Sequence, residues 1–68
     1  MNIAEVKTHR AYRHVDGRSR WVKVTRIWTD DDGTRVAFDI FGRDRRGRPV
    51  TMRSALRIDN FAKLYGPT

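Results

Sequence analysis

The chain has 68 residues, no cysteine and a formal charge of +7, from 15 Lys and Arg against 8 Asp and Glu. At that length one domain is the expectation. The missing cysteines exclude disulfide staples and thiolate zinc ligands, and no apolar run reaches the ~18 residues of a membrane-spanning helix.

MNIAEVKTHR at the N-terminus lacks the apolar stretch of a secretory signal, so a cytoplasmic location is expected. Hydrophobic residues make up 38% of the chain, enough for a small core despite 34% charged residues. Residue choice within each class favours strands. Two Leu stand against six Val, four Ile and six Thr. β-Branched residues suit a pleated sheet, whereas Leu, Glu and Lys suit helices.

In chain order, the first element is a strand over about 6–15. Asp16-Gly17 follows, a hairpin signal because a two-residue type I′ turn needs positive φ at both positions. A second strand runs over 19–29, containing RWVKVTRIW. Val22 and Val24 share a face there, but Ile27 has the opposite parity. A bulge near Thr25 or Arg26 returns Ile27 to the core side. Asp30-Asp31-Asp32-Gly33 is the next turn. It lacks the alternating ligands and later Glu of a calcium loop, so a polar turn is the reading. A third strand over 34–41 puts Val36, Phe38 and Ile40 on one face, with Arg35, Ala37 and Asp39 on the other. Gly42 to Gly47 turns the chain again, and a fourth strand covers 48–53. Ile58, Phe61, Ala62 and Tyr65 then follow helical spacing, with Gly66-Pro67 as a stop. A short helix over 59–65 with Asp59 as its cap is expected, in preference to a longer one over 55–65 capped by Ser54. Residues 1–5 are expected to fray.

The elements add up to one domain over 1–68 in the mainly β class. The expected form is a four- to five-stranded antiparallel meander curled into an SH3-like barrel with a short C-terminal helix. A flat four-stranded sheet with one packed helix is the alternative.

Charge is unevenly spread. Residues 1–29 carry +5, residues 30–41 carry −3, residues 42–57 carry +5 and the rest are neutral. Arg43, Arg45, Arg46 and Arg48 fall within seven residues. Arg presents a planar fork of donors that suits phosphate, so this mobile hairpin loop is a candidate backbone contact. Arg10, Lys23, Arg53 and Arg57 extend the basic patch. The two-residue loop would pair Val15 with Arg18, Tyr12 with Trp21, and Arg10 with Lys23. Tyr12 and Trp21 then form an outward stacking platform amid cations, as in single-strand binders. Trp28, Phe41, Phe61 and Tyr65 are assigned to the core.

His9 and His14 are five apart, on opposite faces of a regular strand, so they do not share a metal. No catalytic constellation, metal site or cofactor motif stands out.

The RWVKVTRIW strand, the Asp-Gly turns and the FAKLY tail loosely resemble small basic SH3-like barrels of the KOW and Tudor type. Arg-rich strands with a terminal Arg57, Phe61 and Tyr65 also resemble short proteins of actinobacterial phages and mobile elements. The resemblance spans about residues 18–65 and carries over no assigned functional residue. The expectation is a non-enzymatic module that binds DNA or RNA without a cofactor and touches no membrane, as a monomer or an edge-paired homodimer. The alternative is a module that docks on an acidic protein surface. A small ribonuclease using a His base is the third reading.

Overall fold

A computed structural model describes residues 1–17 and 21–68. Five antiparallel strands form one sheet: β1 Ala11–His14, β2 Trp21–Asp30, β3 Gly33–Arg43, β4 Pro49–Arg57 and β5 Tyr65–Pro67. A helix, α1, spans Ile58–Leu64, and a 3-10 turn spans Ile3–Glu5. The spatial order is β4-β3-β2-β1-β5. A meander of four strands is thus extended by β5 at the β1 edge.

The mainly β, antiparallel expectation holds, and so does the C-terminal helix. The barrel does not. β4 and β5 are free edges of an open sheet. α1 packs against β3, β4 and β5, so a helix covers the inner face in place of a β4–β5 pairing. The structure therefore takes the open-sheet form of the expectation, with a fifth strand.

The inner face holds the core. Val22 and Val24 from β2, and Val36 and Phe38 from β3, are buried there with Phe61 and Ala62 of α1. Ile27 joins them because β2 carries a bulge between Val24 and Arg26. Thr25 is the extra residue, one of the two positions that the broken alternation of the sequence allows.

β4 and α1 differ from the expectation at their ends. β4 runs on to Arg57, because Ser54 and Leu56 continue the inner-face parity opposite Phe38 and Val36. α1 then starts at Ile58, with Arg57 at the N-cap and no side-chain cap. Asp59 sits inside the first turn and pairs with Arg57 Nε at 3.6 Å. A carboxylate there still complements the helix dipole. At the other end, Tyr65 is extended and opens β5, so Gly66-Pro67 belongs to a strand instead of a helix stop.

β1 is much shorter than the expected 6–15. His9 takes a left-handed conformation at φ 65°, which breaks any longer strand. Residues 3–5 form the 3-10 turn, with Asn2 at its N-cap, and the Met1 ammonium donates to the Ala62 carbonyl at 2.8 Å. Tyr12 fixes the stretch in between. Its hydroxyl donates to the Glu5 carbonyl and accepts from the Lys7 N–H, both at 2.7 Å.

Tyr65 closes the core, stacked on Phe61 at 4.7 Å. Burial raises its hydroxyl pKa above the usual 10.0, and the Asp16 carboxylate adds to the rise. A raised folded-state value means the stability is complete below pH 10 and is lost as pH climbs through that value. Alkaline titration followed by circular dichroism should show this loss above about pH 10. Tyr65→Phe should weaken it, and an unchanged alkaline limb in that variant would contradict the assignment.

Candidate nucleic-acid interface

The β1–β2 register decides what the outer face contains. Tyr12 opposes Val22 and Arg13 opposes Trp21, one residue away from the expected pairing. The turn is not the expected two-residue loop. Gly17 donates to the His14 carbonyl at 3.2 Å and has φ 71°, while Asp16 is not in the positive-φ region. The Asp-Gly pair therefore ends a type I turn whose Gly is left-handed, and is not a two-residue type I′ loop. A shift of one residue exchanges the faces of a strand. Tyr12 accordingly lies in the core, 2% exposed, and Arg13 faces out. The Tyr12–Trp21 platform is corrected: Trp21 is 43% exposed on the outer face, and its partner is Phe41. The predicted Arg10–Lys23 pairing gives way to Ala11–Lys23, and the Val15–Arg18 pairing lies outside the described residues.

Each Lys and Arg of the strands stands on that outer face, opposite α1. Arg13 comes from β1, Lys23 and Arg26 from β2, Arg35 and Arg43 from β3, and Arg53 and Arg57 from β4. Two carboxylates share the face, Asp30 and Asp39. Cations must avoid the inner, buried face in any sheet of this kind. The acids were free to share the outer face, yet the others sit in turns, α1 and the N-terminal segment.

The ion pairs on this face are weak. Asp39 lies between Lys23 and Arg53 in register, 3.4 Å from Arg53 Nε. The Arg53 side chain is 89% exposed, so water screens this contact heavily. Asp30 and Asp32 hold Arg35 at 3.4 and 3.7 Å. This turn is the polar cap expected from sequence, and no cluster of three or more metal-ligating side chains occurs among the described residues.

Aromatic rings interleave with these cations. Trp21 stacks on Phe41 at 4.4 Å and 28°. Arg26 lies 5.2 Å over the half-buried Trp28 ring. Phe41 and Trp28 therefore belong to the outer face, in contrast to the core assignment. Phe41 shares the parity of Ala37 and Asp39, a signal already present in the sequence.

The Arg-rich hairpin is a defined turn. Asp44 Oδ1 accepts from the N–H groups of Arg46 at 2.8 Å and Arg48 at 2.9 Å. Gly47, at φ 77°, donates to the Asp44 carbonyl at 3.0 Å. Arg43 Nη1 donates to the Gly47 carbonyl at 2.8 Å. Arg45, Arg46 and Arg48 are exposed on this frame.

Of the residues singled out from sequence, Lys23, Trp21, Arg43, Arg53 and Arg57 share the outer face. Arg45, Arg46 and Arg48 adjoin it at the hairpin. Arg10 lines a separate cleft of about 320 Å³ with Glu5, Tyr12 and Pro67. Arg13, Arg26, Arg35 and Phe41 complete the face and were missed. His9 is exposed before β1, whereas His14 lies on the inner side, 3.1 Å from Asp16 and edge-on to Tyr65. No helix among the described residues is long and apolar enough to cross a membrane. No family model, curated protein or solved structure matches the chain.

Proposed function

We propose that the chain is a non-enzymatic nucleic-acid-binding module that uses the outer sheet face and the adjoining hairpin. One observation carries this reading: seven cations from four strands stand on a face not covered by the helix, around the exposed Trp21 ring and the half-buried rings of Phe41 and Trp28. Phosphates neutralised by these side chains release counterions, which drives binding and makes it depend on salt. The aromatic rings give bases a surface that a merely soluble cationic face would not need.

Titration with a mixed-sequence oligonucleotide at two salt concentrations, with heparin as a polyanion lacking bases, tests the reading. Sub-micromolar binding at physiological salt is expected, with heparin clearly weaker at equal charge. Weak binding that is the same for heparin and oligonucleotide would overturn it, because any protein of this charge attracts polyanions. The acidic-protein alternative would then take its place.

A further inference from the structure

We infer that the ligand is an unpaired strand, with one base held against Trp21 where β2 meets the Arg-rich hairpin; this rests on the nucleic-acid reading above. A cleft of about 250 Å³ opens there, lined by Trp21, Phe41, Gly42, Arg43 and Pro49. Phe41 supports the indole from within the sheet at 4.4 Å. A ring already held by a neighbour loses little freedom on binding. Trp21 remains 43% exposed, so it still has surface to offer.

Charge surrounds the cleft on three strands. Arg13 stands opposite Trp21 on β1, and Lys23 is the next outward residue on β2. Arg43, on β3, spends one N–H on the Gly47 carbonyl, leaving the rest of its five-donor fork for a ligand. A base on the indole would thus have cations within reach of the phosphates on either side of it.

That arrangement selects for an unpaired base. In a duplex each base is stacked above and below, and an indole meets its face only if the base is first extracted. An unpaired strand presents its faces without that cost. Trp28 offers no equivalent site, because Arg26 already lies over its ring. The sheet therefore provides one base-stacking position, with the phosphates spread over the remaining cations.

The test uses oligothymidine and oligouridine of about 15 nucleotides, within the site sizes such modules cover, and a duplex of equal length. Trp28→Phe leaves Trp21 as the only tryptophan. Both single strands should quench its fluorescence, and the duplex should not. Trp21→Ala should weaken single-strand binding roughly tenfold, within the range of one base–aromatic stack. It should leave duplex binding unchanged, which also reports an intact fold. Trp21→Phe should retain most of the affinity, and its remaining Trp28 should show little quenching. The DNA and RNA arms separate the two sugars. Equal affinity for strand and duplex without quenching would overturn the base site while leaving the nucleic-acid reading standing. Duplex preference that depends on Arg45 and Arg46 would overturn it as well. Binding to none of the three would remove the nucleic-acid reading itself.

Discussion

Tyr12→Ala should unfold much of the protein, whereas Trp21→Ala should leave it folded. Tyr12 is 2% exposed, meets Phe61 edge-on at 5.5 Å, and satisfies both Glu5 and Lys7 through its hydroxyl. Truncating a buried aromatic costs ~3–5 kcal/mol. At ~0.05–0.15 kcal/mol per residue, a chain of this size has only ~3–10 kcal/mol in total. The substitution therefore removes about a third of the stability at the least, and all of it at the lower bound. Tyr12→Phe keeps the ring but leaves the Lys7 N–H and Glu5 carbonyl without their partner, at ~1–3 kcal/mol. It should fold, with a lower urea midpoint. Trp21→Ala gives up one stacked contact on a half-open face, ~0.5–1.5 kcal/mol beyond the area it uncovers. Urea unfolding of the three variants should rank them Tyr12→Ala, then Tyr12→Phe, with Trp21→Ala the mildest or level with the phenylalanine. A severe Trp21→Ala beside a harmless Tyr12→Ala would mean that β1 has the other register.

The same residues show how much was legible in the sequence. Parity within a strand was readable, because the side-chain period of two is independent of everything else. It placed Val36, Phe38 and Ile40 together, and the misplaced Ile27 announced a bulge at Thr25 or Arg26. Parity between strands was not readable, because it depends on whether a turn has an even or odd number of residues. Asp16-Gly17 suits both a two-residue loop and the end of a type I turn with a left-handed Gly. The φ of Asp16 distinguishes them, and the bond from its N–H to His14 Nδ1 at 3.1 Å belongs to no turn motif. In the β3–β4 turn Gly47 likewise donates its N–H to the carbonyl three residues back, that of Asp44, and is left-handed. The closure of the sheet was equally hidden. It depended on α1 packing against β3, β4 and β5, a tertiary outcome that no strand pattern encodes. The candidate site inherited these limits. Lys23 and Arg53 were identified by charge alone, while Arg13 needed the register.

Replacing Arg13, Lys23 and Arg53 together by Ala should flatten the salt dependence of single-strand binding by about 2 units of slope, at ~0.7 per phosphate contact. If each contact acts only by counterion release, the affinity at about 0.1 M salt should fall roughly 100-fold. Arg45→Ala with Arg46→Ala removes two contacts and should flatten the slope by about 1.4. Loss of slope in the hairpin variant but not in the face variant would move the interface off the sheet. Stability should not follow affinity here, because these side chains are exposed and removing like charges relieves repulsion. The opposite change makes the test sharper. Asp39 stands between Lys23 and Arg53, and its Oδ1 is buried without a hydrogen bond. A strand laid across this row brings phosphates toward that carboxylate, which repels them. Asp39→Asn should therefore tighten binding while Arg53→Ala weakens it, although both break the same 3.4 Å ion pair. If that pair served only to hold β3 to β4, the two variants would move stability in the same direction and leave affinity alone. Opposite signs in affinity are the result expected of a polyanion laid on this face of the sheet.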